Sequence, residues 1–297
     1  RFRRYQDLTA HGLRDCRCRF GRGCDLPRTH VLLRLADRRR IVGNLTQGKR
    51  AWPHAVEPFL CIGHNRDGQR MLRLMKPGGM MDKLDDKSRA EIVFVGSTLG
   101  PLFLHDPEHD AQVVATGLEA LASLDVEAAA KDWPFVSAED AERALALMHE
   151  GLAEGTKSDA LVWEYRRLFV GPLAKPAPPW GSVYTDKDMV VFGASTMQLR
   201  DWMRRNGIAI EKGESDEPED HIGTMLVLLA WLAEERPELV DEFLCDHLLT
   251  WSSHFLEQLE EAAEQPFYEG LANLTRKSLE GLQEERELEV AYPRFYR

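Results

Sequence analysis

The sequence predicts an all-α protein. A single compact helical domain of about nine or ten helices is expected over residues 81–297, preceded by a poorly ordered, Arg-rich segment over residues 1–80. Three observations carry that expectation. From Asp82 onward, apolar residues recur at helical spacing in one window after another. Alternation of period two is hardly present. Pro and Gly breaks fall between the windows as they do in a compact helical domain, with no internal repeat of the kind a solenoid needs.

Residues 89–104 place Ile92, Val95, Leu99, Leu102 and Phe103 on one face, and Asp106-Pro107 stops the run. Residues 111–124 follow. Residues 137–152 open on Ser137-x-x-Asp140 and present Leu145, Met148 and Leu152 to a core. Residues 158–170 form the next helix. Residues 195–206 form another, with Gly207 where a C-terminal cap belongs. Asp216-Glu217-Pro218-Glu219-Asp220-His221 is expected to open a helix that continues through Leu226, Leu229, Ala230 and Ala233. Pro237 begins a helix to about residue 249, and residues 251–263 and 267–285 complete the set. Trp202, Trp231, Trp251 and Phe255 sit at helical spacing and read as core.

Between two of these helices lies the least helical stretch of the domain, residues 165–184, YRRLFVGPLAKPAPPWGSVY. Pro172, Pro176, Pro178 and Pro179 each fix φ and lack an N–H, so the backbone is expected to run extended as far as Trp180-Gly181-Ser182. A stiff segment carrying Trp180 and Tyr184 loses little entropy when a partner docks beside it. The same residues also suit a helix–helix connection whose Trp plugs the core. In the acidic hexad, Asp216-x-x-Glu219 reads as a capping box whose acids complement the helix dipole. His221 departs from that logic: an imidazolium is disfavoured at a helix N-terminus, so this side chain is expected to stay neutral and serve through hydrogen bonds. Asp220 is placed either to cap or to hold a cationic partner.

Catalytic signatures are absent: no HExxH, GxSxG, CxxC or Gly-rich phosphate loop occurs. A Ser182/Asp220/His221 triad would need an adjacent Asp and His on one helix to face each other, which helical geometry opposes. A small hydrolase using Asp220 and His221 is the alternative function.

Charge divides the chain sharply. Residues 1–80 hold 18 Lys+Arg against 6 acids, a net of +12, whereas residues 81–297 hold 20 against 43, a net of −23. Cys16, Cys18, Cys24 and Cys61 lie in the first part, and Cys245 alone in the second, which argues for a reducing compartment without a disulfide framework. No apolar run reaches the ~20 residues that span a bilayer, and no charged start precedes an apolar block as in a signal peptide. The expected location is cytoplasmic.

Three readings compete for residues 1–80. A basic arm suits nucleic acid or anionic lipid, because clustered Arg neutralises phosphates. Cys16-x-Cys18-x5-Cys24 with Cys61-x2-His64 has metal-ligand chemistry, but the spacing and the gap of ~36 residues match no usual zinc pattern. Lastly, the excess of Arg over Lys is what a GC-rich upstream region yields when read through. On that reading the natural start is Met80 or Met81, and a poorly ordered tail precedes it.

Tyr165-x-x-Leu168-Phe169-x-Gly171-Pro172, Pro176-x-Pro178-Pro179-Trp180-Gly181-Ser182-Val183-Tyr184 and Glu217-Pro218-Glu219-Asp220-His221 with Gly223 together resemble the redox-enzyme maturation chaperones of the TorD/DmsD type. The likeness is closest to the DmsD branch, which binds the leader of dimethyl sulfoxide reductase. It extends through Phe192-Gly193-x-Ser195-Thr196, Trp251-Ser252-Ser253-x-Phe255 and Pro266-Phe267-Tyr268, roughly residues 82–297. Nothing before Met80 takes part.

This resemblance implies an all-helical, non-catalytic protein that binds the twin-arginine signal peptide of a molybdenum-cofactor oxidoreductase. It holds the precursor from export until folding and cofactor insertion are complete. The implied leader-binding residues are Tyr165, Leu168, Phe169, Pro179, Trp180, Tyr184, Gly193, Asp220 and His221. Tyr165 and Tyr184 stand where Trp is common in the family, and Leu104 where a Tyr occurs. The resemblance further implies the export machinery at the inner membrane as a partner, a monomer or domain-swapped dimer, and no nucleic acid, cofactor or metal. Nucleotide binding has been discussed for the family, but no phosphate loop is present here.

Overall fold

A computed structural model describes residues 62–64, 70–72, 84–171, 173–210 and 217–297. The start at Met80 or Met81, the cysteines Cys16, Cys18, Cys24 and Cys61, Pro172 and the Asp216 end of the acidic hexad lie outside the described residues. Within residues 1–80 only a short antiparallel pair is described, β1 (Ile62–His64) and β2 (Arg70–Leu72), with Ile62 opposite Leu72. Three residues are too few for alternation to show in a sequence.

The rest is helical, as expected, with eleven α-helices among the described residues. They are α1 (Asp86–Leu104), α2 (Ala111–Ala122), α3 (Val126–Asp132), α4 (Ala138–Gly151), α5 (Asp159–Tyr165), α6 (Gly181–Thr185), α7 (Ala194–Arg205), α8 (Ile222–Glu235), α9 (Val240–Phe243), α10 (Ser252–Ala262) and α11 (Pro266–Glu285). Local chemistry sets many of the boundaries. Asp85, Asp125, Ser137 and Ser158 each accept the backbone N–H three residues on, which starts α1, α3, α4 and α5. Gly207, at φ 68°, follows the C-cap Asn206 of α7. The stretch from Pro237 is built of a 3₁₀ turn, α9 and a π turn over Leu244–Leu248. The sequence pattern misses α3, whose single buried residue, Ala130, gives no apolar period to detect.

Two helix pairs carry the core. α1 crosses α8 where Gly100 and Gly223 meet; a Cβ on Gly223 would crowd Leu104 and the Gly100 carbonyl, so these backbones approach closely only without side chains. α4 lies on α11, and α10 also packs on α11, burying Phe255, Leu259, Phe267, Tyr268 and Leu271. Trp202 and Trp251 are buried as expected, while Trp231 is half-buried against the core. No helix among the described residues is long and apolar enough to cross a membrane.

Two expectations need correction. α8 starts at Ile222, with His221 as its N-cap and no acid in its first turn, so the hexad precedes the helix instead of opening it. Extended backbone ends at Trp180, because residues 181–185 coil into α6.

Candidate functional site

The proline segment and the approach to α8 meet in one antiparallel bridge, Trp180 opposite His221. Pro179 has no N–H to donate, but its carbonyl accepts the Ile222 N–H at 2.8 Å, and the Gly181 N–H donates to the Asp220 carbonyl at 3.1 Å. The partly buried Trp180 ring is fixed by its Nε1–H, which donates to Glu217 Oε1 at 2.6 Å. Its centre lies 6.2 Å from the centre of the His221 ring, the two planes steeply inclined, and Lys175 Nζ stands 5.0 Å from its centre.

His221 is buried, and its Nδ1 accepts the Gly223 N–H at 3.1 Å. Burial, reinforced by the positive charge of Lys175 and by His105, pushes the imidazole pKa down to about 3. The ring therefore stays neutral, as its place at a helix N-terminus led us to expect. Asp220, 3 % exposed, accepts the Ser182 N–H on Oδ2 at 2.8 Å and so ties α6 to α8. Burial raises its pKa, and hydrogen bonding from Ser182 and Thr196 opposes that rise. Its Oδ1 is buried, as are the Ser182 and Thr196 hydroxyls beside the carboxylate. The carboxylate is not offered openly to solvent; it is reached from the cleft described below.

α7 is anchored on the same side. Asp186 accepts both the Ser195 N–H and the Ser195 hydroxyl at 3.1 Å. A Cβ on Gly193 would overlap Asp186 Oδ2, so a side chain there would push the Asp186 carboxylate from its place on Ser195. The turn between Asp186 and Gly193 holds Met189 and Phe192 in the left-handed region, at φ 49° and 63°, and exposes Met189, Val190, Val191 and Phe192. Arg200 joins this strip to the hexad: its guanidinium lies 5.1 Å from the Phe192 ring centre, and its Nε donates to Glu219 Oε2 at 2.6 Å.

A cleft of about 560 Å³ opens between these elements. Asp186, Asp220 and Asp246 line it, with His247, Trp251 and Arg294. Burial lowers the His247 pKa to about 4, so this ring too is neutral at physiological pH.

Of the nine residues selected from sequence, Pro179, Trp180, Tyr184, Gly193, Asp220 and His221 gather around α6 and the start of α8. Tyr184 is fully buried, stacked on Trp251 at 6.0 Å with its edge toward Phe255. Tyr165, Leu168 and Phe169 belong to α5 and its π-turn extension, and all three are buried. Tyr165 donates to the Phe103 carbonyl at 3.2 Å, and Phe169 packs on Phe103 and Tyr268, 5.9 Å from each. Phe169, implied by the resemblance as a leader-binding residue, has its ring packed into the core. The imagined triad does not assemble. Asp220 binds the backbone of Ser182, and His221 binds Gly223. Asp186, Arg200 and Asp246 were missed, because loop and surface positions leave no periodic trace. Only the Phe192-Gly193-x-Ser195 string pointed near them.

Comparison with known proteins gives a consistent picture. The nitrate reductase delta subunit family profile matches residues 137–257. The chain is 40% identical over 210 residues to the Tat proofreading chaperone DmsD of Salmonella typhimurium, covering 70% of this chain and 97% of that protein. It is 39% identical over 208 residues to the Haemophilus influenzae protein named "Probable Tat proofreading chaperone DmsD", again 70% and 97%. Similarity to the chaperone protein TorD of Vibrio cholerae is 33% over 110 residues, covering 33% of this chain and 49% of TorD.

Proposed function

We propose a function from one premise: the chain belongs to the TorD/DmsD family of redox-enzyme maturation chaperones. Its role is to bind the twin-arginine signal peptide of a molybdenum-cofactor oxidoreductase subunit of the dimethyl sulfoxide reductase type. Binding delays export until folding and cofactor insertion are complete. The protein acts in the cytoplasm, without catalysis of its own.

The observation that carries this reading is the Trp180–His221 bridge, which sets an aromatic shelf beside a cleft lined by three aspartates. A leader with two guanidiniums and an apolar stretch presents the complementary chemistry. The exposed strip from Met189 to Phe192 and the Trp180 face offer apolar area, at about 1.5–3 kcal/mol per large side chain fully buried. Arg is the side chain suited to carboxylates in a partly dry site, because its planar fork bonds bidentately and is weakly hydrated. Asp220 lines the cleft, and an arriving cation offsets the desolvation that now raises its pKa. The net −23 of residues 81–297 steers a cationic peptide inward.

Binding of a labelled peptide carrying two adjacent arginines and an apolar stretch tests the proposal. Micromolar or tighter affinity that weakens with salt is expected. Indifference to salt would remove the steering argument, and absence of binding would remove the function.

A further inference from the structure

Beyond Arg286 the chain turns back without secondary structure, and residues 289–297 run over the site just described. Several contacts hold them there, among them His254 Nε2 at 2.7 Å from the Arg297 carbonyl oxygen. The Phe295 ring stacks on His254, 4.3 Å between centres and nearly parallel. The Tyr296 N–H donates to the Tyr184 carbonyl at 3.0 Å. Arg297 donates to the carbonyls of Lys175 and Pro176 at 2.9 and 2.8 Å, on the proline segment itself. Arg294 lines the same cleft as Asp186, Asp220 and Asp246.

The chemistry of this segment is that of the peptide the site is proposed to take. Arg294-Phe295-Tyr296-Arg297 sets two guanidiniums around two aromatic rings, laid along the proline segment, α6 and α10. We infer that residues 289–297 act as an internal ligand of the leader groove, docked when the chaperone is empty and displaced when an arginine-bearing leader binds. The inference rests on the function proposed above.

Two further observations favour an exchangeable occupant over a permanent part of the core. None of residues 289–297 is fully buried: Val290, Pro293, Phe295 and Tyr296 are partly buried and the rest are exposed, so the segment lies on the core without being part of it. Segments held by few buried contacts open at low free-energy cost. Asp220 is at the same time 3 % exposed and lines the cleft beside Arg294, and the contacts that hold the segment do not include its carboxylate. A tethered ligand works at an effective concentration near the millimolar range, so even weak contacts keep it docked most of the time. Weak cationic peptides are then excluded, while a leader that also engages Asp220 displaces the segment. Apparent affinity falls by the fraction of open molecules, which here means on the order of 3- to 30-fold.

The test compares the full chain with its Phe295→Ala/Arg297→Ala variant. Labelled arginine-pair peptide and labelled free peptide of residues 289–297 are titrated onto each. The variant is expected to bind the arginine-pair peptide on the order of 3- to 30-fold more tightly, to bind the free segment peptide, and to show competition between the two. Equal or weaker affinity in the variant at unchanged helicity would overturn the inference, as would failure of the two peptides to compete. If the arginine-pair peptide binds neither protein, the proposed function falls. In that event the free-segment arm still reads the docking, and its failure to bind the variant overturns the inference independently.

Discussion

Trp180 and His221 face each other in a one-rung antiparallel bridge, with Trp180 donating from its ring to Glu217 and His221 capping α8 through Gly223. This rung ties the proline segment to the helix that crosses α1 through the core. The shelf is rigid where it meets the cleft, and each prediction below perturbs one part of that junction.

Trp180→Ala removes the exposed aromatic face but leaves the backbone bridge, which uses Pro179, Gly181, Asp220 and Ile222. Peptide affinity is expected to fall by about 1.5–3 kcal/mol. Helical content by circular dichroism should stay near wild type. A large loss of helicity would instead mark Trp180 as a core plug.

Asp220→Asn keeps an oxygen for the Ser182 N–H but removes the charge. Binding of the arginine-pair peptide should weaken by roughly 1–3 kcal/mol. Stability should move the other way. The folded-state pKa of Asp220 is raised by burial, so its ionised form costs folding free energy above that pKa, and the cost vanishes as pH falls through it. Urea denaturation at neutral pH should find the Asn variant at least as stable as wild type. Marked destabilisation would contradict this assignment.

His221, buried, and His247, half-buried, are neutral, with pKa values depressed to about 3 and about 4 from 6.5. Below pH 6.5 the unfolded chain binds protons that the folded one refuses. Stability is therefore full above pH 6.5 and is lost as pH falls toward those folded values. Each histidine adds up to about 1.4 kcal/mol per pH unit to that slope. Denaturation midpoints measured from pH 7 to pH 5 should fall less steeply in His221→Asn than in wild type. An unchanged slope would mean that the imidazole is not held neutral.

Gly193→Ala puts a methyl group onto Asp186 Oδ2. Relief requires breaking the Asp186–Ser195 contacts that start α7, at a cost of about 1–3 kcal/mol. Lowered thermal stability together with weakened peptide binding is expected. Wild-type values for both would show that the loop gives way without consequence.

The fold was legible where physics repeats along the chain. α4, announced by Ser137-x-x-Asp140 and three apolar residues at helical spacing, lies within one residue of its expected start. Period says nothing about which turn precedes a helix, so His221 was recognised as neutral while its role as the N-cap was assigned to the acids before it. Composition likewise cannot separate an apolar ring that faces a groove from one that faces the core. Phe169 and Trp180 share a motif, yet Phe169 packs on Phe103 and Tyr268, while Trp180 reaches toward solvent and Glu217. The cleft was hidden for another reason: Asp186, Asp220 and Asp246 come from three distant segments that only tertiary packing brings together.

The most direct measurement is a pair of titrations on the full chain, by fluorescence anisotropy at low salt. One uses a labelled peptide with two adjacent arginines and an apolar stretch, and the other uses the same peptide with both arginines replaced by glutamine. The shelf and the cleft acting together predict tight binding of the first and a loss of about 100-fold or more for the second, roughly 1.4 kcal/mol for each factor of ten. Equal affinity for the two peptides would contradict the account, because the acidic cleft would then contribute nothing to recognition.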